Sequence, residues 1–200
     1  TINSFNPDIV LFPGDFFDEN PGPVVKDNMG GIVESIRSKY GVYAVTGNHE
    51  YIGGIDETVK FMQKHKIRVL RDEAVEINGS FLLAGREDKS ISRFTDGKRK
   101  KLGEILAGMN TKLPVILMDH QPSSINDSVM NNIDLHLSGH THNGQLWPIN
   151  YITGAIFKIP YGFSKTGETN IYVSKGYGTW GPPVRTTGRP EIVVLQIRFL

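Results

Sequence analysis

His140 and His142 stand one residue apart in "LSGHTHNGQLWP", residues 137–148, behind Gly139 and ahead of a Thr/Asn/Gly turn. Histidine is scarce in this chain, with six in all, so two such close neighbours after an apolar run read as ligands. In an extended segment, residues i and i+2 point the same way. Both imidazoles are therefore expected to aim at one place, at one metal ion or at two adjacent ones. Other candidates share this setting. Asp15 follows "DIVLFPG", Asn48 and His49 follow "VYAVTG", and His120 follows "PVILMD". Each sits just past the carboxyl end of an apolar run, where open α/β sheets assemble their sites. Imidazole, carboxylate and amide oxygen without sulfur suit divalent ions of the Mn, Fe and Zn group. The two oxygens of a carboxylate can bridge a pair of ions, and Asn adds a neutral oxygen. Gly14, Gly47 and Gly139 each precede a ligand, where the lack of a Cβ permits sharp turns and close backbone approach.

The elements that must carry these residues are legible as periodicities. "DIVLF" (8–12), "VYAVT" (42–46), "IRVL", "AVEI", "SFLLAG", "PVILM" (114–118), "DLHLS" (134–138), "NIYVS" and "EIVVLQIRF" read as strands. "AVEI" and "SFLLAG" form a hairpin through Asn78-Gly79. Helices are expected over 24–39, 55–66 and 96–106, with a short helix or loop at 122–132. "GNHEYIGG" and 85–96 read as loops, and 143–170 as an irregular aromatic-rich stretch. The run "KRKK" (98–101) reads as a solvated helix face. Helices alternate with strands early and give way to strands late. That argues one α/β or α+β domain over residues 1–200, built on at least two sheets.

Composition narrows the classes. Two hundred residues suffice for one well-buried domain. A net charge of +1 selects neither nucleic acid nor an anionic surface by global field, and no basic repeat argues for long nucleic acid. With no cysteine, disulfides and thiolate metal sites are excluded, while the compartment stays open. No apolar run is long enough to span a bilayer, and no signal peptide is visible.

Taken in order, "GD" (14–15), "GNHE" (47–50), His120 after its apolar strand, and "GHTH" (139–142) resemble the motif set of the calcineurin-like metallophosphoesterases. "LSGHTHNGQ" and the tail "GYGTWGPPVR…PEIVVL" are most similar to the bacterial branch that includes membrane-associated and exported phosphoesterases. The resemblance covers nearly the whole chain. It implies a four-layer α-β-β-α sandwich, helices outside two mixed sheets, with two divalent metal ions at the strand ends. Asp15 would bridge, Asn48, His120 and His140 would complete one ion, and His142 would serve the other. His49 would stand over the substrate as general acid or as a cation. Asp18 resembles the acid that orients it, with Glu50 as a competitor. The implied function is hydrolysis of phosphate mono- or diesters by a metal-activated hydroxide, on a phosphorylated small-molecule or lipid-linked substrate.

The family's earlier Asp-x-His motif has no counterpart here; the only acid before Asp15 is Asp8, and no His precedes His49. Ile2 and Phe5 keep helical spacing and Asn6-Pro7 reads as a helix stop. Together these lead to the expectation of an N-terminally truncated domain lacking its first strand. Such a chain would hold one ion where the intact protein holds two. Membrane association would come through the missing segment, in a membrane-associated or exported bacterial protein. A second function class follows from the same feature: a binding or scaffold module that has lost its catalytic site.

Other residues have plainer readings. His136, opposite Leu135 and Leu137 in strand parity, and His65, at the basic end of a helix, read as packed histidines. Arg185 could reach a substrate phosphate with its planar fork or tie down a Gly/Pro-rich loop. Trp147, Tyr151, Phe157, Tyr161 and Phe163 could line an apolar substrate groove or touch a membrane, and the expectation is that they fill a core beneath an irregular segment.

Overall fold

A computed structural model describes residues 1–18, 21–27 and 29–199. Nine strands are assigned among them: β1 (Val10–Pro13), β2 (Val42–Val45), β3 (Ile67–Val69), β4 (Glu73–Ile77), β5 (Phe81–Gly85), β6 (Val115–Met118), β7 (Leu135–Ser138), β8 (Gly162–Thr166) and β9 (Thr169–Val173). The helices are α1 (Gly22–Lys26), α2 (Gly30–Glu34), α3 (Asn48–Gly53), α4 (Ile55–Lys64), α5 (Ile91–Phe94), α6 (Leu102–Ile105), α7 (Ile125–Met130) and α8 (Ile149–Ile156). They build two sheets, a three-stranded one ordered β1-β2-β3 and a six-stranded one ordered β4-β5-β6-β7-β9-β8. The smaller sheet is parallel throughout. The larger is mixed, with parallel β5, β6, β7 and β9 flanked by antiparallel β4 and β8.

The layers follow from strands that are apolar on both faces, as parallel strands buried between layers must be. In β5 and β6, Leu83, Ile116 and Met118 point between the sheets, where they meet Val45 and Leu70. Their sequence neighbours Leu82, Val115 and Leu117 point outward against Leu102 and Ile105 of α6. In β2, Ala44 faces outward to Phe61 and Met62 of α4. The order is helix, sheet, sheet, helix. The hairpin expected at Asn78-Gly79 is present, with both residues in the left-handed region.

Several elements differ from the periodicity reading. "GNHEYIGG" is the helix α3 rather than a loop. Glu50 explains this: its side chain accepts from the Gly47 backbone at the helix N-terminus, which pattern counting cannot register. The stretch 24–39 holds the short α1 and α2, with residue 28 outside the described residues. The helix expected over 96–106 shrinks to Leu102–Ile105, because Arg99 and Lys100 are drawn into ion pairs and backbone contacts with Asp119 and Asp72. "KRKK" is therefore only partly a solvated face. Residues 143–170 contain α8 and β8. The tail 191–199 is not a strand: after Glu191 donates to Gly176, no ladder forms among the described residues, and a strand exists only with a partner. Trp147, Tyr151, Tyr161 and Phe163 do not fill a core; they are exposed on α8, its approach and the edge strand β8.

Candidate metal centre

The loop after β1 turns sharply at Gly14 (φ 88°) and Asp15 (φ 52°). Two features force this turn. A Cβ on Gly14 would lie 2.5 Å from His120 Nδ1, and one on Gly47 would lie 2.1 Å from Asp15 Oδ1. Glycine is thus required at both positions by close approach; Gly139 has no contact nearer than 3.8 Å and is under no such demand. The other feature is Glu50, fully buried. Its carboxylate accepts from the backbone N–H of Asp15 (2.9 Å), Phe16 (2.7 Å), Phe17 (3.2 Å) and Gly47 (2.6 Å). Burial and the Asp15 charge push the Glu50 pKa up, against the pull of the Gly47 and Phe17 backbone bonds. Glu50 holds the loop that presents Asp15, and its carboxylate is taken up by these backbone N–H groups.

His120 follows β6 and is almost completely buried. Its Nδ1 lies 2.8 Å from Pro13 O. A carbonyl only accepts, so Nδ1 carries the proton and the other ring nitrogen faces the ligand cluster. Nε2 sits 2.9 Å from Asp15 Oδ2 and 3.2 Å from Asn48 Oδ1. His140 Nδ1 is 2.8 Å from the same Asn48 oxygen. Asp15, His120 and His140 offer donor atoms all within 4.8 Å of one another, and Asn48 joins them.

The electrostatics match. Burial opposes charge on Asp15, but the His120 charge and hydrogen bond overcome it and bring the carboxyl to about 2. Burial likewise opposes charge on His120, and Asp15 overcomes it, raising the imidazole to about 9. A buried carboxylate that keeps a buried imidazole protonated marks a place where positive charge is stabilised. His140 is lowered to about 4 by burial and by the His120 charge, so near neutral pH it is an uncharged donor. One carboxylate, one amide oxygen and two imidazoles, with a ligand His oriented by a backbone carbonyl, form a fitting set for one divalent ion.

His142 stands apart from this cluster. Arg185 Nη2 lies 3.2 Å from its Nδ1. A guanidinium only donates, so the His142 proton sits on Nε2, the tautomer opposite to His120. Burial and Arg185 lower its pKa to about 4. Arg185 also donates to the carbonyls of His142 (3.2 Å), Lys175 (2.8 Å) and Gly178. It ties the Gly/Pro-rich loop, one of its two sequence readings. The His49 backbone donates to Asp15 Oδ1 (3.0 Å), while its ring Nδ1 meets the Asp18 carbonyl and lies 3.5 Å from the Asp18 carboxylate.

Sequence reasoning passed over the support beneath His120. Asp119, fully buried, accepts from Arg99 (3.1 and 2.5 Å) and Arg86 (3.3 Å). The signal lay in "MDH" and "GREDK", where charges follow apolar strands. His136 and His65 are packed as expected. His136 bridges Ser128 (2.6 Å) and Ser138 (2.7 Å) on the outer face of β7, and His65 pairs with Glu34 (2.8 Å).

This is a two-sheet α/β domain with carboxylate, amide and imidazole donors gathered at its strand ends, a set that could hold a metal ion. The chain belongs to the calcineurin-like phosphoesterase family, whose model matches residues 1–144. It is 38% identical to an uncharacterised metallophosphoesterase of Aquifex aeolicus, over 96% of this chain and 73% of the relative. A Bos taurus transmembrane protein with metallophosphoesterase domain is 31% identical over 98% of this chain and 47% of its own length. Among solved structures, a putative 5'-nucleotidase from Staphylococcus aureus superposes with a TM-score of 0.54 at 12% identity, covering 84% of this chain and 40% of that one. The likeness is one of fold. No helix among the described residues is long and apolar enough to cross a membrane.

Proposed function

We propose that the chain is the core of a metal-dependent phosphohydrolase acting on phosphorylated small-molecule or lipid-linked esters. The observation that carries this reading is the convergence of Asp15, Asn48, His120 and His140 from four distant loops. Those residues would hold one divalent ion of the Mn, Fe or Zn class. Asp15 would be shared with a second ion that also takes His142, which requires Arg185 to release Nδ1 so that one ring nitrogen is free as a neutral donor. When bound, such ions polarise the phosphoryl group and lower the pKa of water.

The chain's own residues supply the rest. Glu50 keeps Asp15 presented. His120, locked by Pro13, and neutral His140 keep their donors aimed at one point. His49 lines the adjacent cleft, with Nδ1 turned to Asp18. Asp18 thereby positions the ring so that His49 can offset phosphoryl charge and protonate the leaving oxygen. Arg185 acts on the substrate through the loop it holds.

The test is Mn-supported hydrolysis of an aryl phosphate by the product of the complete reading frame, with metal per chain measured alongside. Turnover that disappears on chelation and returns with metal is expected. No turnover with Mn, Fe or Zn would favour the scaffold reading.

A further inference from the structure

The helix α8 reverses the usual polarity of a surface helix. Its solvent side carries Tyr151 (69% exposed), Ile152 (60%) and Ile156 (68%), while Thr153 is buried. Trp147, just before the helix, is 68% exposed. No charged side chain interrupts Pro148–Phe157. Contiguous exposed aromatic and branched aliphatic side chains mark an interaction surface rather than scattered exposure.

Charge identifies the occupant. Between Asp134 and Glu191 the only acidic residue is Glu168, which is paired with Lys165 at 2.9 Å. The same stretch carries Lys158 and Arg189 together with Lys165, Lys175, which pairs with Glu191 at 3.7 Å, and Arg185, which donates to loop carbonyls, so cations outnumber acids. An apolar face with Trp and Tyr, set in a segment that is cationic on balance, complements an anionic lipid surface. Trp and Tyr favour the headgroup level because one end of each ring is polar. A helix of eight residues is far too short to span a bilayer, so it would lie in the interface plane.

We propose that α8 docks the domain on an anionic membrane surface, with Trp147, Tyr151, Ile152 and Ile156 entering the headgroup region. The helix also walls the metal centre. Ile149, Thr153 and Phe157 line a pocket together with Asn48, His140 and His142, and the Phe157 ring packs edge-on against His140 at 5.8 Å. Docking through α8 brings the mouth of the site to the lipid surface. The proposal stands on the surface alone and needs no catalytic activity.

Co-sedimentation with phosphatidylcholine vesicles, with and without phosphatidylglycerol, tests it. The chain should partition onto the anionic vesicles and more weakly onto the neutral ones. The double substitution Ile152→Ser/Ile156→Ser, at exposed positions, should leave the circular dichroism spectrum unchanged and lower partitioning at least about tenfold. In a Trp180→Phe background, Trp147 emission should shift to the blue on vesicle addition. Absence of vesicle binding by the unaltered chain overturns the proposal, as does binding that the double variant retains. Self-association abolished by the same substitutions, without vesicle binding, would assign the face to a second copy and also overturns it.

Discussion

His140 and His142 flank a single residue in one tetrapeptide, yet the fold gives them different partners. His140 turns to Asn48 and joins the Asp15 cluster, while His142 turns to Arg185. The reason is backbone conformation. The i, i+2 rule holds for extended chain, but His140 and His142 have φ of 68° and 48°, so the loop coils and the two rings take different partners. The supports differ too. The Asp15 cluster rests on buried groups, namely Glu50 under its loop and Asp119 beneath His120. His142 rests on a loop held by Arg185, by Thr141 donating to the Pro160 carbonyl and by buried Gln145 donating to the Trp180 carbonyl. The first is a preorganised cluster of donors; the second is a donor whose Nδ1 is already engaged by Arg185.

Substitutions can break or sharpen this contrast. The largest effect is expected for Asp15→Asn, which removes the charge shared by the whole centre. Metal content and turnover should fall together to background, by elemental analysis and aryl phosphate hydrolysis. His49→Ala should lower kcat by roughly 10²–10⁴, the usual yield of a positioned acid, with metal content nearly unchanged. Parallel loss of metal would show His49 to be a ligand.

His140→Ala and His142→Ala compare the two sides directly. By titration calorimetry, His140→Ala should weaken binding of the first ion at least about 100-fold, beyond what loss of a supporting contact costs. His142→Ala should leave that affinity within about tenfold. Equal losses would erase the distinction drawn here. Glu50→Gln should cost roughly 10–100-fold in metal affinity, acting only through the Asp15 loop.

A separate effect concerns a histidine outside the centre. Burial holds His136 at about 4, below the ordinary 6.5. The folded state therefore keeps it neutral where the unfolded state takes up a proton. Its contribution is present above 6.5 and lost as pH falls toward 4. Urea unfolding should show stability declining across that window, and His136→Asn should shrink the decline by roughly 3 kcal/mol.

Much of the site was readable because each ligand follows an apolar strand, and strand ends are where a layered α/β fold converges. Strand ends alone singled out Asp15, Asn48, His49, His120, His140 and His142 as candidates; grouping Asp15, Asn48, His120 and His140 came from the family resemblance. The supports were hidden because their signal is a partner distant in sequence. Nothing local says that Glu50 caps the loop of Asp15, 35 residues away, or that Arg99 in "KRKK" belongs to Asp119. The strand expected at 191–199 and the core expected around Tyr151 failed for a related reason. Apolar pattern reports an affinity for burial, while a ladder neighbour or a covering layer is supplied only by the rest of the fold.

Composition and motif order by themselves determined a thiol-free α/β domain with hard and borderline metal donors, because donor chemistry and strand periodicity are properties of the local chain. Tertiary structure alone decided which donors come together, which tautomers His120 and His142 adopt, and which apolar side chains remain outside. Those depend on distances between segments that sequence order leaves free.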